Sequence, residues 1–344
     1  MVQFIDVRHM RDWIAATGPE ARIAGIADYL ESDYRRWNAF DKMPRVATHS
    51  PVGVIELMPT SDGELYTFKY VNGHPDNPAR NLQTVTAFGV LADVDTGYPL
   101  MISEMTLLTA LRTAANSALA ARALARPGSS VMALIGTGSQ AEFQSLAFRR
   151  MLGISSLRLW DTDPAALDKA VANLSPLGFN VYRAKDAADA VADADIVTTC
   201  TADKAYATIL TDEMITPGMH LNAIGGDCPG KTELDPRILY RGSVFVEYEP
   251  QTRIEGEIQQ VEADFSVTEL WSVLAGVAHG RVADDEVTIF DSVGFAIEDF
   301  SALRYLYDTV AGTRFSEESD LIAEPHDPKD LFSLVSSPAA VRRA

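Results

Sequence analysis

Residues 131–141, Val131-Met132-Ala133-Leu134-Ile135-Gly136-Thr137-Gly138-Ser139-Gln140-Ala141, decide the fold. An apolar β-type run enters a Gly-x-Gly-x-x-Ala turn that opens directly into helical periodicity. Gly136 permits the tight turn, and Gly138 lets backbone approach a pyrophosphate seated on the helix N-terminus. A second strand-like run, Ser156 to Trp160, ends at Asp161. A carboxylate there accepts hydrogen bonds from a ribose 2′-hydroxyl and repels a 2′-phosphate, which favours NAD over NADP. Asp163 competes for that role, although its position before Pro164 suits a helix N-cap.

Downstream of this motif strands and helices alternate. Asn180 to Tyr182, Ile196 to Thr199, His220 to Ile224, Val244 to Glu247 and Val287 to Phe290 are strand-like. That rhythm predicts a doubly wound parallel sheet of Rossmann type. Upstream the texture differs. Ile23, Ile26, Ala27, Leu30, Tyr34 and Trp37 mark one amphipathic helix within 20–40. Short β-type runs then fill 44 to about 104, the last two joined by Asp95-Thr96-Gly97 as a hairpin turn. A helix over 106–126 closes this part. The expectation is an α/β chain with an α+β domain over 1–126, rejoined by 293–344, and a nucleotide-binding domain over 127–292. From 316 onward Pro325, Pro328 and Pro338 predict a tail with little regular structure.

The 344 residues carry 29 Lys and Arg against 48 Asp and Glu, a net charge of −19. Such a polyanion is a poor partner for nucleic acid or an anionic membrane. Two cysteines, Cys200 and Cys228, supply neither a disulfide framework nor a four-ligand zinc site, and the scattered histidines lack metal-ligand spacing. No run of ~18 apolar residues is present, and the opening residues carry charge early. No membrane span, no signal peptide and no metal are therefore expected, and a cytoplasmic location is.

Candidate chemistry lies in two further places. Ile224-Gly225-Gly226-Asp227 follows an apolar strand, so Asp227 falls beyond a strand carboxyl end, where ligands of open α/β sheets sit. Equally, Asp227 and Gly230 suit a plain turn. Cys228 reads as a small hydrophobe rather than a nucleophile. In the first domain Arg45, Glu56 and Lys69 interrupt successive β-type runs. Each alone fits a solvated face; together they offer two cations for a carboxylate and one anion for an amine.

Several stretches together resemble the ornithine cyclodeaminase/μ-crystallin family. They are Arg45 to Pro59, Phe68 to Pro75, Asn81 to Pro99, Thr201 to Thr208, Met219 to Leu234, Val246 to Gln259 and Asp291 to Phe295. The resemblance spans about residues 3–315. It implies a homodimer whose first domain binds substrate and builds the dimer contact, while the second holds NAD. It implies conversion of L-ornithine to L-proline and ammonia, with NAD reduced and re-oxidised in one turnover. Arg45 and Lys69 would then hold the substrate carboxylate, with Arg112 nearby, Glu56 in the pocket and Val293 on its border. Thr84, Arg112, Gly136, Gly138, Ser139, Gln140, Asp161, Thr201, Lys231 and Ser292 would contact NAD, and Ile224, Gly225, Gly226 and Asp227 would pass close to it. Asp227 would serve as general base and then general acid.

Rivals remain at this level. A family amino-acid dehydrogenase or ketimine reductase differs in net redox change. A lysine cyclodeaminase differs by one methylene, worth only ~1–3 kcal/mol in a small pocket. A non-catalytic crystallin-like binding protein is opposed by Arg45, Lys69 and Asp227.

Overall fold

The computed structural model describes residues 1–202 and 206–336. Residues 203–205, inside the Thr201–Thr208 stretch, and 337–344, at the end of the tail, lie outside the described residues.

Two large sheets organise the chain. The first has seven strands in the order Glu317–Ser319, Val2–Ile5, Pro99–Glu104, Val85–Asp93, Leu65–Gly73, Gly53–Ser61 and Val46–Ser50. Its pairings are antiparallel except where Val2–Ile5 runs parallel to Pro99–Glu104. Gly97, at φ 72°, makes the expected turn between two of these strands.

Alternation along the strands sets which side chains turn inward. Glu56, Met58 and Thr60 point one way on Gly53–Ser61, and Thr67, Lys69 and Val71 do so on Leu65–Gly73. That inner face is covered by the helix Ala296–Val310, on which the helix Pro19–Arg35 packs in turn; their Ile23, Ile26, Leu30, Phe300, Leu303 and Leu306 are fully buried. The outer face is uncovered and apolar. Val46, Leu57, Tyr70 and Phe88 stand opposite one another across four strands, and the Tyr70 and Phe88 rings stack at 5.1 Å.

The second sheet has eight strands, all paired in parallel. Their order is Thr268–Glu269, Gly242–Val246, Val287–Asp291, His220–Ala223, Ile196–Thr199, Val131–Ile135, Ser156–Trp160 and Asn180–Arg183. The order reverses between Val131–Ile135 and Ile196–Thr199, the switch point at which such sheets bind ligands. The Ala-rich helix Thr106–Leu124 is buried nearly all round, because alanines admit close approach of Pro19–Arg35 and Ala141–Leu152 on its two sides.

The α/β reading therefore holds, with three corrections. The single helix within 20–40 is Pro19–Arg35 alone, ended by the short turn Trp37–Ala39. A strand at Val2–Ile5 and a helix at Val7–Thr17 precede it, the latter N-capped by Asp6, whose carboxylate accepts from His9 N. The tail is not wholly irregular, since Glu317–Ser319 extends the first sheet along Val2–Ile5. Among the described residues, no helix is long and apolar enough to cross a membrane.

Candidate active site

The strand Val131–Ile135 delivers the chain into Gly136, where φ is 95° and a Cβ would lie 2.8 Å from the carbonyl oxygen of Cys200. Only glycine fits there, because the neighbouring strand end presses against the turn. Gly138 and Ser139 are exposed, and a Cβ on Gly138 would meet nothing within 4 Å. The N-terminus of the helix Ala141–Leu152 thus opens outward. Gln140 precedes it without making a side-chain cap, and its buried Oε1 has no hydrogen-bond partner.

Asp161 faces the same turn. Its Oδ2 accepts from Thr137 N at 2.5 Å and Thr137 Oγ1 at 2.9 Å, and its Oδ1 from Asp163 N at 2.9 Å. A carboxylate offers about four acceptor sites, so capacity for a sugar hydroxyl remains. Asp163 N-caps the helix Pro164–Leu174. An open helix N-terminus, an orphaned amide oxygen and a carboxylate at the next strand end together fit a dinucleotide.

The second loop follows His220–Ala223. Gly225 is required by packing: a Cβ would lie 2.1 Å from the carboxylate of Glu233. Glu233 is buried, and burial pushes its carboxyl upward. It accepts from Gly225 N at 3.1 Å and from Thr201 N at 2.8 Å, so one side chain ties two strand ends together. Asp227 projects beyond this knot, exposed, with Lys231 Nζ 3.0 Å from its Oδ1. Lys231 itself is buried; that burial opposes its charge, but Asp227 and Glu233 hold its proton on.

Beside this loop lies a cluster of buried charge. Arg45, just ahead of Val46–Ser50, donates from Nη1 to Glu56 at 3.0 Å and from Nη2 to the carbonyls of Val293 and Gly294 at 2.6 and 2.8 Å. Its Nε is 3.0 Å from Glu255 Oε2. Burial would lower its affinity for the proton, yet Glu56, Glu255 and Asp227 raise it above the ordinary value. Next to it Lys69 Nζ donates to Asp299 at 2.8 Å. Arg112 Nη1 donates to Glu298 at 2.6 Å, and its Nε stands 3.0 Å from Asp299. Burial, with the Arg112 charge beside it, brings the Lys69 ammonium down to about 8. Glu56 Oε1, Glu255 Oε2, Asp299 Oδ2, Arg45 Nε and Arg112 Nε are buried without hydrogen-bond partners. Arg45 Nε with Glu255 Oε2, Arg112 Nε with Asp299 and Lys69 Nζ with Asp299 Oδ2 meet as ion pairs, whereas Glu56 Oε1 has no such contact and is the acceptor an incoming ammonium would satisfy.

Glu247 shapes the cluster from behind. It accepts from Ser292 Oγ and from the N–H groups of Val293 and Gly294, holding the segment whose carbonyls receive Arg45. Burial and the nearby Glu298 push its carboxyl up to about 8.

Residues 7–314 match the model of the ornithine cyclodeaminase/mu-crystallin family. The chain belongs to that family. Among its relatives, an ornithine cyclodeaminase of Agrobacterium fabrum is 58% identical over 343 residues, 100% of this chain and 97% of the relative. A solved lysine cyclodeaminase, studied for its recognition of L-lysine, L-ornithine and L-2,4-diaminobutyric acid, is 32% identical with a TM-score of 0.87. That likeness covers 96% of this chain and 98% of the other. An archaeal alanine dehydrogenase dimer with bound NAD is 30% identical, with a TM-score of 0.82 over 90% of this chain and 96% of its own.

In this member of the ornithine cyclodeaminase/mu-crystallin family, Arg45, Glu56 and Val293 form one contact set, and Lys69 and Arg112 share Asp299 in another. The reading of Glu56 and Lys69 as solvated strand residues is overturned, because both point into the interior. The Thr84 carbonyl accepts from His74 N and Asn72 Nδ2. Sequence reasoning missed Glu233, Glu247, Glu255, Glu298 and Asp299, the carboxylates that hold the cations and loops. The pair Glu298-Asp299 in the first turn of an apolar helix was the available signal.

Proposed function

We propose that this chain is an ornithine cyclodeaminase, converting L-ornithine to L-proline and ammonia with NAD as a retained cofactor. The observation that carries the reading is a buried set of ion-paired cations beside an unpartnered oxygen of Glu56. Lys69 and Arg112 offer charge to an α-carboxylate, and Glu56 offers a free oxygen to an amine. Alanine has no second amine to meet such a wall. The relative at 58% identity points the same way.

Gly136, Gly138, Ser139, Gln140, Asp161, Thr201, Ile224, Gly225, Gly226, Lys231, Ser292, Thr84 and Arg112 would hold NAD. The chemistry NAD supplies is reversible storage of the hydride taken from the substrate Cα and returned to the ring imine. The protein's part is orientation and proton transfer. Lys69, Arg112 and Arg45 fix the α-carboxylate, with Val293 limiting the space beside it. Asp227 takes a proton from the δ-ammonium, freeing the nitrogen lone pair to attack Cα of the imine and close a five-membered ring. The same carboxyl then gives the proton to the departing α-nitrogen, which leaves as ammonia.

In this reading residues 1–126, rejoined by 293–344, bind substrate and form the dimer contact, and 127–292 hold the cofactor. The packing of Ala296–Val310 on the first sheet and the pairing of Glu317–Ser319 with Val2–Ile5 support that division. The apolar outer row Val46, Leu57, Tyr70 and Phe88 supports a homodimer, since exposed contiguous apolar faces mark interaction surfaces. A cytoplasmic location and a role in proline biosynthesis from arginine and ornithine catabolism belong to the same proposal.

The test is incubation of L-ornithine with NAD far below the substrate concentration. Proline and ammonia should form in many turnovers per NAD, without accumulating NADH. NADH formed in step with a keto or imino product would make the chain a dehydrogenase. Parallel assays with L-lysine decide the one-methylene question.

A further inference from the structure

The short helix Glu249–Glu255 reaches Arg45 at both of its ends. Gln251, near its start, accepts from Arg45 N at 3.1 Å through Oε1 and donates through Nε2 to the Gly294 carbonyl at 2.8 Å. That same carbonyl receives Arg45 Nη2. Glu255, its last residue, is buried with Oε2 3.0 Å from Arg45 Nε. The chain immediately beyond is pinned, because the buried carboxylate of Asp291 accepts from Glu257 N and Ile258 N, both at 2.9 Å. Glu255 is therefore held against the guanidinium by its own helix and by the strand Val287–Asp291 behind it.

This placement has an electrostatic consequence. Arg45 lies between Glu56 and Glu255, and Asp227 is close enough to act on both Arg45 and Glu255. One fixed positive charge thus faces three carboxylates, only one of which, Asp227, has a cation of its own in Lys231. With Glu56 alone the Arg45 wall would be neutral; burial, with Glu56 and Asp227 nearby, raises the Glu255 carboxyl to about 7 against the pull of Arg45, and its ionised form makes the wall an anion. Glu255 Oε2 meets Arg45 Nε as an ion pair at 3.0 Å rather than as an aligned hydrogen bond, and Glu56 Oε1 is buried without a hydrogen-bond partner. Burying a surplus carboxylate costs stability and is sustained where a cationic ligand neutralises it.

We propose that Glu255 is a positioning and specificity-determining residue: it fixes the Arg45 guanidinium and supplies the surplus negative charge that selects substrates carrying a second ammonium. This deepens the cyclodeaminase reading and rests on it. Arg45 and Glu56 meet the substrate, whereas Glu255 acts through Arg45 and through its field.

The test compares L-ornithine with L-norvaline, which has the same carbon chain but no δ-amine. KM and kcat for L-ornithine, the inhibition constant of L-norvaline and NAD affinity are measured for the wild type, E255Q and E255D. In E255Q the preference for ornithine over norvaline should fall about tenfold or more, mainly through KM, with NAD affinity unchanged. E255D, which keeps the charge, should retain most of the preference. If E255Q does not fold, the Asp variant carries the test: loss of preference there overturns the proposal. An unchanged preference in E255Q, or an equal loss for both ligands with weaker NAD binding, also overturns it, the latter marking a purely structural role. Absence of ornithine turnover in the wild type would instead overturn the cyclodeaminase reading itself.

Discussion

The ammonium of Lys69 lies 2.8 Å from the carboxylate of Asp299, 230 residues away along the chain. This contact joins the middle of an antiparallel sheet to the first turn of the helix that covers it. Arg112 reaches the same carboxylate from a third element, so one acidic side chain organises two of the three cations of the site.

Removing that carboxylate should therefore be costly. Asp299→Asn leaves the buried Lys69 ammonium without its carboxylate, while Arg112 keeps Glu298, and such breaks cost about 3–5 kcal/mol. Chemical denaturation of the purified variant should show a loss of this size, with little change in the denaturant slope.

The pH profile should carry the signature of Lys69. Its folded-state value is lowered to about 8, so the ammonium is present below that pH and is lost as pH rises through it. The carboxylate of the substrate then loses a charged partner, and kcat/KM for L-ornithine should fall above about pH 8. Lys69→Gln should be weak throughout and should lack this limb in a pH series.

Cofactor choice should follow Asp161. Asp161→Ser removes the repulsion against a 2′-phosphate and also the acceptor that holds Thr137 N. NAD binding should weaken and the gap between NAD and NADP should narrow in fluorescence titrations. Equal binding of both cofactors by the wild type would remove Asp161 from this role.

Asp227→Asn keeps size but cannot carry the proton. Acid–base assistance typically contributes ~10²–10⁴-fold, so ammonia release should fall by at least that range while NAD still binds. Near-normal turnover would reduce Asp227 to a turn residue and move attention to Glu56.

The outer face of the first sheet should behave as an interface. Leu57→Glu places a charge within the row Val46, Leu57, Tyr70 and Phe88, where burial against another copy would leave it unpaired. Light scattering should show a dimer for the wild type and a shift toward monomer for the variant.

The local features are legible in the residues themselves. Gly136 and Gly138 follow a continuous apolar strand and precede a helix, and backbone stereochemistry at such a turn depends on those few residues alone. The alternation of strands and helices after residue 130, and the hairpin at Gly97, are local for the same reason. Arg45, Glu56 and Lys69 stand out because charge interrupts β-type runs, and Asp227 because it follows two glycines at a strand end.

What those charges face is set by long-range packing. Period-two alternation places Glu56 and Lys69 on one side of their strands but does not say which side is buried. That depends on the helix Ala296–Val310 folding back over the sheet. The partners Glu255, Glu298 and Asp299 lie far along the chain from Arg45, Arg112 and Lys69, the last two by 186 and 230 residues, because burial of a charge demands an opposite charge in space, wherever the chain supplies it. Gly225 makes the same point: its neighbours in sequence suggest a turn, but it is the Glu233 carboxylate, packed where a Cβ would be, that excludes any side chain.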